Sequence, residues 1–501
     1  MSAVLASFDV KAHLPALQIV VPMFGAVICG FLRRGALAWA LTLIVSWVAA
    51  AISTELLRQV LANGTISYAL GGWAPPVGIE YRVDVIAAFT LFLVSWSSSI
   101  ILIFARKSIE EEIEVRSRSW LYCMYLLCLT GLLGITVTGD AFNAFVFMEV
   151  SSLAMYTLIA MGKHRRALLS AYQYLIMGTI GATFYIIGVG MLFTITGSLN
   201  FVDIAQRLAT SGMERPAIAG LAFLTVGISL KLALFPLHAW LPNAYAYAPS
   251  AVTAFLAGTA TKVAIYLLMR IFFTVYGGSA IFKSLPISEI LMLLSVAAMI
   301  GASLVAVFQD NVKRVLAYSS VAQVGYITLG IALANQSGLT AASIHMFNHA
   351  VMKTALFLAI GAAVYRVGTL RLHDLDGIGP RMPLTMIAIV IGGLGLVGTP
   401  GTAGFISKYY LAMGALDRGW WWLVFIIVAS SFIAILYSGR LIEAIWFREP
   451  SEFAKQASDP PLSMLLPILF LTVAVVWFGF DTRLSVDVAS KAAEVLLGGV
   501  K

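Results

Sequence analysis

Charged side chains are scarce in this sequence: they make up 11% of its 501 residues, against 60% hydrophobic. A water-soluble domain carries about 25% charge, so the composition excludes a soluble globular protein and points to lipid. Long polar stretches are missing too. Apolar runs recur from near the N-terminus to residue 480, each matching the roughly 20 residues that span a bilayer. Nothing between them is long enough for a separate soluble unit, so residues 1–501 read as a single membrane domain. Cysteine is rare. Cys29, Cys123 and Cys128 lie in or beside apolar segments, which excludes a disulfide framework and a metal cluster and leaves small core residues. No cofactor is expected. The formal charge of +8 is scattered over short loops, a topology signal rather than a phosphate-binding face for nucleic acid. A basic leader with a short apolar core and a cleavage site is also absent, so the first span is expected to be retained.

What the sequence has is a series of apolar windows. They predict an all-α polytopic membrane protein of about fourteen helices, near 16–32, 36–57, 83–105, 119–138, 141–161, 170–195, 218–241, 250–273, 286–308, 315–334, 341–366, 384–412, 420–447 and 462–480. Loops after odd-numbered helices are richer in Lys and Arg (Arg33, Arg106, Lys163, Arg166, Arg314, Arg371 and Arg448 among them) than the opposite side, which holds Arg58, Arg207, Arg418, Lys491 and Lys501. Odd loops are therefore expected in the cytoplasm and both termini outside.

Two spans carry breakers. KLALFPLHAWLP places Pro236 and Pro242 in the seventh helix, and GLVGTPGTAGFISK places a Gly/Pro run from Gly395 to Gly404 in the twelfth. Proline removes a backbone donor and glycine weakens helical order, so both helices should unwind locally. Breaks five helices apart suggest two five-helix repeats, 119–273 and 286–447. An odd number of helices per repeat inverts the second copy, and transporters place ion sites at such breaks. A kink packed against its neighbours is the plainer alternative.

Charges sit where charge is expensive. Glu149 is mid-helix in the fifth span, Lys231 precedes the break in the seventh and Lys262 is central to the eighth. His345, Asn348, His349 and Lys353 share the eleventh, and Lys408 follows the break in the twelfth. One charge at mid-bilayer costs about 2.5–3.5 kcal/mol on insertion scales, so a series of them needs a compensating role. Glu149 and Lys231 can pair, and the remainder can line a hydrated path. Burial lowers a lysine's proton affinity and an opposite charge restores it, so lysines and histidines in series suit a proton relay. A static bridge fixing helix packing is the alternative for Glu149–Lys231.

Other features carry less. His345-x-x-x-His349 has metal-ligand spacing, but no nearby Glu, Asp or Cys completes a site. Gly393-x-Gly395-x-x-Gly398 copies a dinucleotide fingerprint inside a membrane span, where packing and unwinding explain it better. Glu110, Glu111, Glu112 and Glu114 read as a solvated loop, and His13, His164 and His373 as solvated ends. His238, at the seventh-helix break, fits a structural or a relay role equally. Asp84, beside Arg82, could join a subunit contact or anchor the interface.

The segments GDAFNAFVFMEVSS, KLALFPLHAWLPNAYAYAPSAVTAFLAGTATKVAIY, QDNVKRVLAYSSVAQVGYI, HMFNHAVMKTALFL and GTPGTAGFISKYYL resemble the antiporter-like subunits of respiratory complex I, membrane-bound hydrogenases and Mrp-type cation/proton antiporters. The resemblance runs through helices 3 to 13. It implies fourteen helices with two inverted five-helix repeats and a hydrophilic axis in the membrane plane. By motif position it makes Glu149 and Lys231 the paired charges and Lys262 the connecting lysine. His345 and His349 become the polar positions of the eleventh helix, and Lys408 the terminal charge. Asn243 and Tyr245 stand where many complex I subunits carry Asp and His. That loop, YALGGWAPPVGIEYRVD and an end at Lys501, short of the longer A-type subunits, look most like the D-type subunits of Mrp antiporters.

The expectation is a proton-translocating subunit of a multisubunit Na+ or K+/proton antiporter in the cell (inner) membrane. Its relay would be Glu149, Lys231, Lys262, His345, His349, Lys353 and Lys408, with Asp84 and His238 accessory. The chain itself would do no covalent chemistry, bind no metal and partner other membrane subunits. The alternative is the proton-pumping module of a redox-driven complex of hydrogenase or NADH:quinone oxidoreductase type. An inert scaffold fits poorly with so many mid-membrane charges.

Overall fold

The computed structural model describes residues 10–212 and 214–498; Lys501, counted among the outer charges, lies outside them. Among the described residues, thirteen helices are long and apolar enough to cross a membrane. They are α1 (Leu14–Phe31), α2 (Gly35–Asn63), α3 (Val85–Glu112), α4 (Arg118–Val137), α5 (Ala141–Ala160), α6 (Arg166–Thr196), α7 (Arg215–Leu232), α8 (250–275), α9 (287–307), α10 (Val312–Leu333), α11 (Gln336–Val367), α13 (Trp422–Phe447) and α14 (Leu462–Phe480). The remaining span, α12, is made of two short helices, Pro383–Val397 and Ala403–Asp417. With it the described residues hold a helical element at each of the fourteen expected positions, thirteen of them long and apolar enough to span.

Polar side chains start several of these helices by capping their free N–H groups. Asp84 Oδ1 accepts from Ala87 N at 3.1 Å and Asp140 Oδ1 from Asn143 N at 2.7 Å. Asn311 and Asn335 do the same for α10 and α11, at 3.1 and 2.8 Å. Glu112, expected in a solvated loop, has a structural role instead: its carboxylate accepts from the Ser250 N–H at 2.9 Å, where α8 begins.

Both expected breaks occur. α7 stops at Leu232, earlier than the 241 read from hydropathy, with Ala233 left-handed (φ 60°). The chain turns helical again over Leu241–Tyr247. Trp240 Nε1 donates to Leu230 O at 2.8 Å, which satisfies a carbonyl freed by the break. α12 unwinds after Val397 at Gly398, whose φ of 85° suits glycine. A third interruption was not expected: α8 is cut at Thr259 (φ −125°, ψ −57°), between Ser250–Gly258 and Ala260–Met269. Outside the spans the fold adds a short antiparallel hairpin of β1 (Ile66–Ala69) and β2 (Glu80–Val83), in register Ile66↔Val83. Two further helices, Phe201–Ser211 and Val488–Leu496, also lay beyond the hydropathy reading.

The interior is formed by α3, α4, α8, α10 and α11, whose residues are mostly buried; α2, α6, α9, α13 and α14 have mostly exposed faces. α6 and α7 approach closely because glycines face each other. A Cβ at Gly227 would lie 2.6 Å from Gly181 O, and one at Gly188 2.8 Å from Gly220 O. Gly227→Val should therefore force these helices apart at a cost of about 1–3 kcal/mol. A thermal melt of the detergent-purified chain checks this; an unchanged midpoint would show that the contact tolerates bulk.

Candidate functional site

The expected relay residues sit on α5, α7, α8, α11 and α12, and all of them but Glu149 are buried. Glu149 lies in α5, and Ser152 follows one turn later on the same face. Lys231, in the last turn of α7, brings its Nζ to 3.7 Å from Glu149 Oε1. The ammonium donates to Ser152 Oγ at 2.7 Å rather than to the carboxylate. Glu149 Oε1 has no hydrogen-bond partner among the described residues. Lys231 is 7% exposed and the Glu149 side chain 28%, although its Oε1 is buried.

Lys262 is fully buried, and the cut in α8 explains how. Interrupting the helix at Thr259 leaves the Ala257 carbonyl free to accept from Lys262 Nζ. Lys353, on α11, is also fully buried and donates to Leu316 O at 2.9 Å and to Ser319 Oγ of α10. His349, one turn before Lys353 on α11, is close enough to both lysines to feel their charge. Neither of its ring nitrogens has a partner among the described residues. Its ring stacks on that of His345, with centroids 6.0 Å apart and planes within 3°. His345 is held at both nitrogens, by Ser407 Oγ at 2.7 Å and Gln323 Oε1 at 2.8 Å.

Lys408 reaches into the break of α12. Its Nζ donates to Leu396 O at 3.0 Å, Val397 O at 2.8 Å and Ser431 Oγ at 2.9 Å, and stands over the Tyr326 ring at 4.3 Å. The two carbonyls are free because Gly398 ends the first half-helix. Both interruptions, in α8 and α12, thus supply backbone acceptors to a buried lysine.

The seven expected relay residues lie on α5, α7, α8, α11 and α12, four lysines and two histidines with a single carboxylate, Glu149. The two accessory candidates have other surroundings. His238 is partly exposed at the α7 break, its ring stacked on Phe235 with centroids 5.1 Å apart. Asp84 forms a buried bidentate pair with Arg270, at 2.6 and 2.7 Å. Burial pushes the Asp84 carboxyl up, but the Arg270 charge, its hydrogen bonds and the Ala87 N–H hold it below the ordinary carboxylate value. The pair anchors α3 to α8. Sequence reading missed Arg270, Gln323 and Ser152. The four-residue spacing Lys262, Tyr266, Arg270 could have revealed the first, since Arg270 also donates to Tyr266 OH at 3.0 Å. For Gln323 and Ser152 the sequence held no distinguishing signal.

Residues 138–434 match the family described as NADH:quinone oxidoreductase/Mrp antiporter, TM. The chain is similar to the N-type subunit of the NADH-quinone oxidoreductase of Desulforudis audaxviator, with 38% identity covering 93% of this chain and 96% of that one. It is also similar to the D-type subunit of the Na(+)/H(+) antiporter of Bacillus subtilis, with 26% identity covering 97% of each. Among solved structures, a chain of the Mrp complex from Dietzia sp. DQ12-45-1b superposes with a TM-score of 0.90 at 25% identity, covering 98% of both.

Proposed function

The chain belongs to the NADH:quinone oxidoreductase/Mrp antiporter family as an antiporter-like membrane subunit, and we propose that it carries protons along the row from Glu149 to Lys408 within a multisubunit Na+ or K+/proton antiporter. The observation that carries this reading is the loose contact at the start of the row. Lys231 sits 3.7 Å from Glu149 but bonds to Ser152, so its ammonium has a second anchor when the carboxylate takes up a proton. Protonating Glu149 removes the attraction and favours passing the lysine proton inward. Lys262, the bare ring of His349, Lys353, His345 and Lys408 continue the path, each a group that can hold or release a proton. Unpartnered buried atoms at Glu149, Asn348 and His349 give the path its points of hydration.

The breaks in α7 and α12 support two inverted units, 119–273 and 286–447, with the row running through both. Basic residues following α5, α9, α11 and α13 gather on one face, among them Arg166, Arg314, Arg371 and Arg448. That face is cytoplasmic in this reading, with the termini outside and the chain in the cell (inner) membrane. The Glu149 side chain is part-exposed, and other membrane subunits of the complex would cover it. In this reading the cation runs through a partner subunit, and the chain itself only takes up and releases protons.

The second reading, a pump driven by electron transfer in partner subunits, is favoured by the similarity to an oxidoreductase membrane subunit. It uses the same row. Everted vesicles containing the complete complex separate the two. After an unrelated pump establishes a proton gradient, Na+ or K+ should collapse it, and the Glu149→Ala complex should not respond. If verified wild-type complex gives no response to either cation, the antiporter reading fails and the redox-driven one replaces it.

A further inference from the structure

The loop arginines that the sequence scatters meet in one cavity of about 770 Å³ on the face of the odd-numbered connections. Arg166, Arg314, Arg371, Arg440 and Arg448 line it, with Asp310 the acidic residue among them. Two of the five are neutralised, Arg440 by Asp310 at 2.9 Å and Arg448 by Glu443 at 2.7 Å. Arg166, Arg314 and Arg371 have no carboxylate within ion-pair distance among the described residues. Arg166 donates to the Tyr247 hydroxyl at 3.0 Å, and the buried Nε of Arg314 has no hydrogen-bond partner among the described residues.

We infer that this cavity binds the phosphoryl group of an anionic phospholipid. Three guanidinium groups without a carboxylate partner, Arg166 and Arg371 exposed and Arg314 half-buried, converge on one space and can share an anion. Their planar forks match phosphate oxygens two at a time. The N-terminus of the 22-residue α10 opens at the same place, at Asn311, and adds the positive end of a helix. A second, independent feature favours lipid over a soluble phosphate. Phe308 and Phe447, next in sequence to lining residues Gln309 and Arg448, are 79% and 81% exposed. Exposed aromatic rings beside a basic pocket mark the depth of headgroups and offer acyl chains an apolar rim. None of these residues belongs to the proton row.

The test measures thermal unfolding of the full chain in nonionic detergent by tryptophan fluorescence. It is titrated with short-chain phosphatidylglycerol, short-chain phosphatidylcholine or inorganic phosphate. Phosphatidylglycerol should stabilise at concentrations about tenfold lower than either of the others. The Arg314→Gln/Arg371→Gln protein should lose that preference, and Arg314→Lys/Arg371→Lys should keep part of it. If the glutamine protein does not fold, an affinity unchanged in the lysine protein overturns the site. Equal responses to the two lipids also overturn it, and inorganic phosphate matching phosphatidylglycerol overturns the lipid assignment. A response present in the free chain but lost in the assembled complex would give the cavity to an acidic segment of a partner instead.

Discussion

Replacing Lys231 with alanine should abolish cation-dependent proton exchange, and replacing it with arginine should abolish it equally, while both complexes assemble in normal amount. Arginine keeps the positive charge and can still reach Ser152, but it does not release its proton at any pH a protein experiences. Charge without exchangeable protons therefore separates a relay from a static bridge. Assembly should survive because the contact is loose. Glu149 is part-exposed, its Oε1 accepts no hydrogen bond, and 3.7 Å is too long for the ammonium to bond it directly. Glu149→Gln should match these variants, because Glu149 is the row's one carboxylate and its amide replacement neither binds nor releases a proton. The assay is dye-reported exchange in everted vesicles, divided by the amount of tagged complex on an immunoblot. Arginine restoring exchange to the wild-type level would show that position 231 supplies only a charge, and the relay would be lost.

Asp84→Asn should destabilise the fold by about 3–5 kcal/mol, the cost of leaving a buried partner charge unpaired. Asparagine caps a helix as well as aspartate does, so the bond to Ala87 N survives and the loss reports on Arg270 alone. Arg270→Met added to Asp84→Asn should recover most of the stability, because neither residue then buries a charge. The acid side follows from the same pair. With its folded pKa lowered, Asp84 contributes stability that is complete above the ordinary carboxylate value and disappears as the pH falls through the lower folded value. Thermal midpoints of the three proteins in detergent test this; equal midpoints for wild type and Asp84→Asn would mean that Arg270 finds another partner.

What the sequence determined by itself was the membrane fold and the residue types of the row. Fourteen apolar windows separated by short basic loops allow little other than a bundle, because lipid satisfies no backbone group and each span must satisfy its own. Charges within those windows were legible for the same reason: in hydrocarbon they are costly enough to stand out as single letters. The breaks at Pro236 and Gly398 were legible because proline and glycine act locally.

Tertiary structure decided what depends on partners distant in sequence. The cut at Thr259 carries no proline. It follows directly on Gly258, and its consequence is read only when the Ala257 carbonyl is seen to hold Lys262. Glu112 looked solvated until the start of α8, 138 residues away, proved to be its partner. Arg270 ended an apolar window without remark until Asp84, 186 residues earlier, closed on it. The arginines after α5, α9, α11 and α13 read separately as topology signals, since each is one charge on one short loop. Only helix packing brings them to one cavity, where three arginines without a carboxylate partner can share an anion.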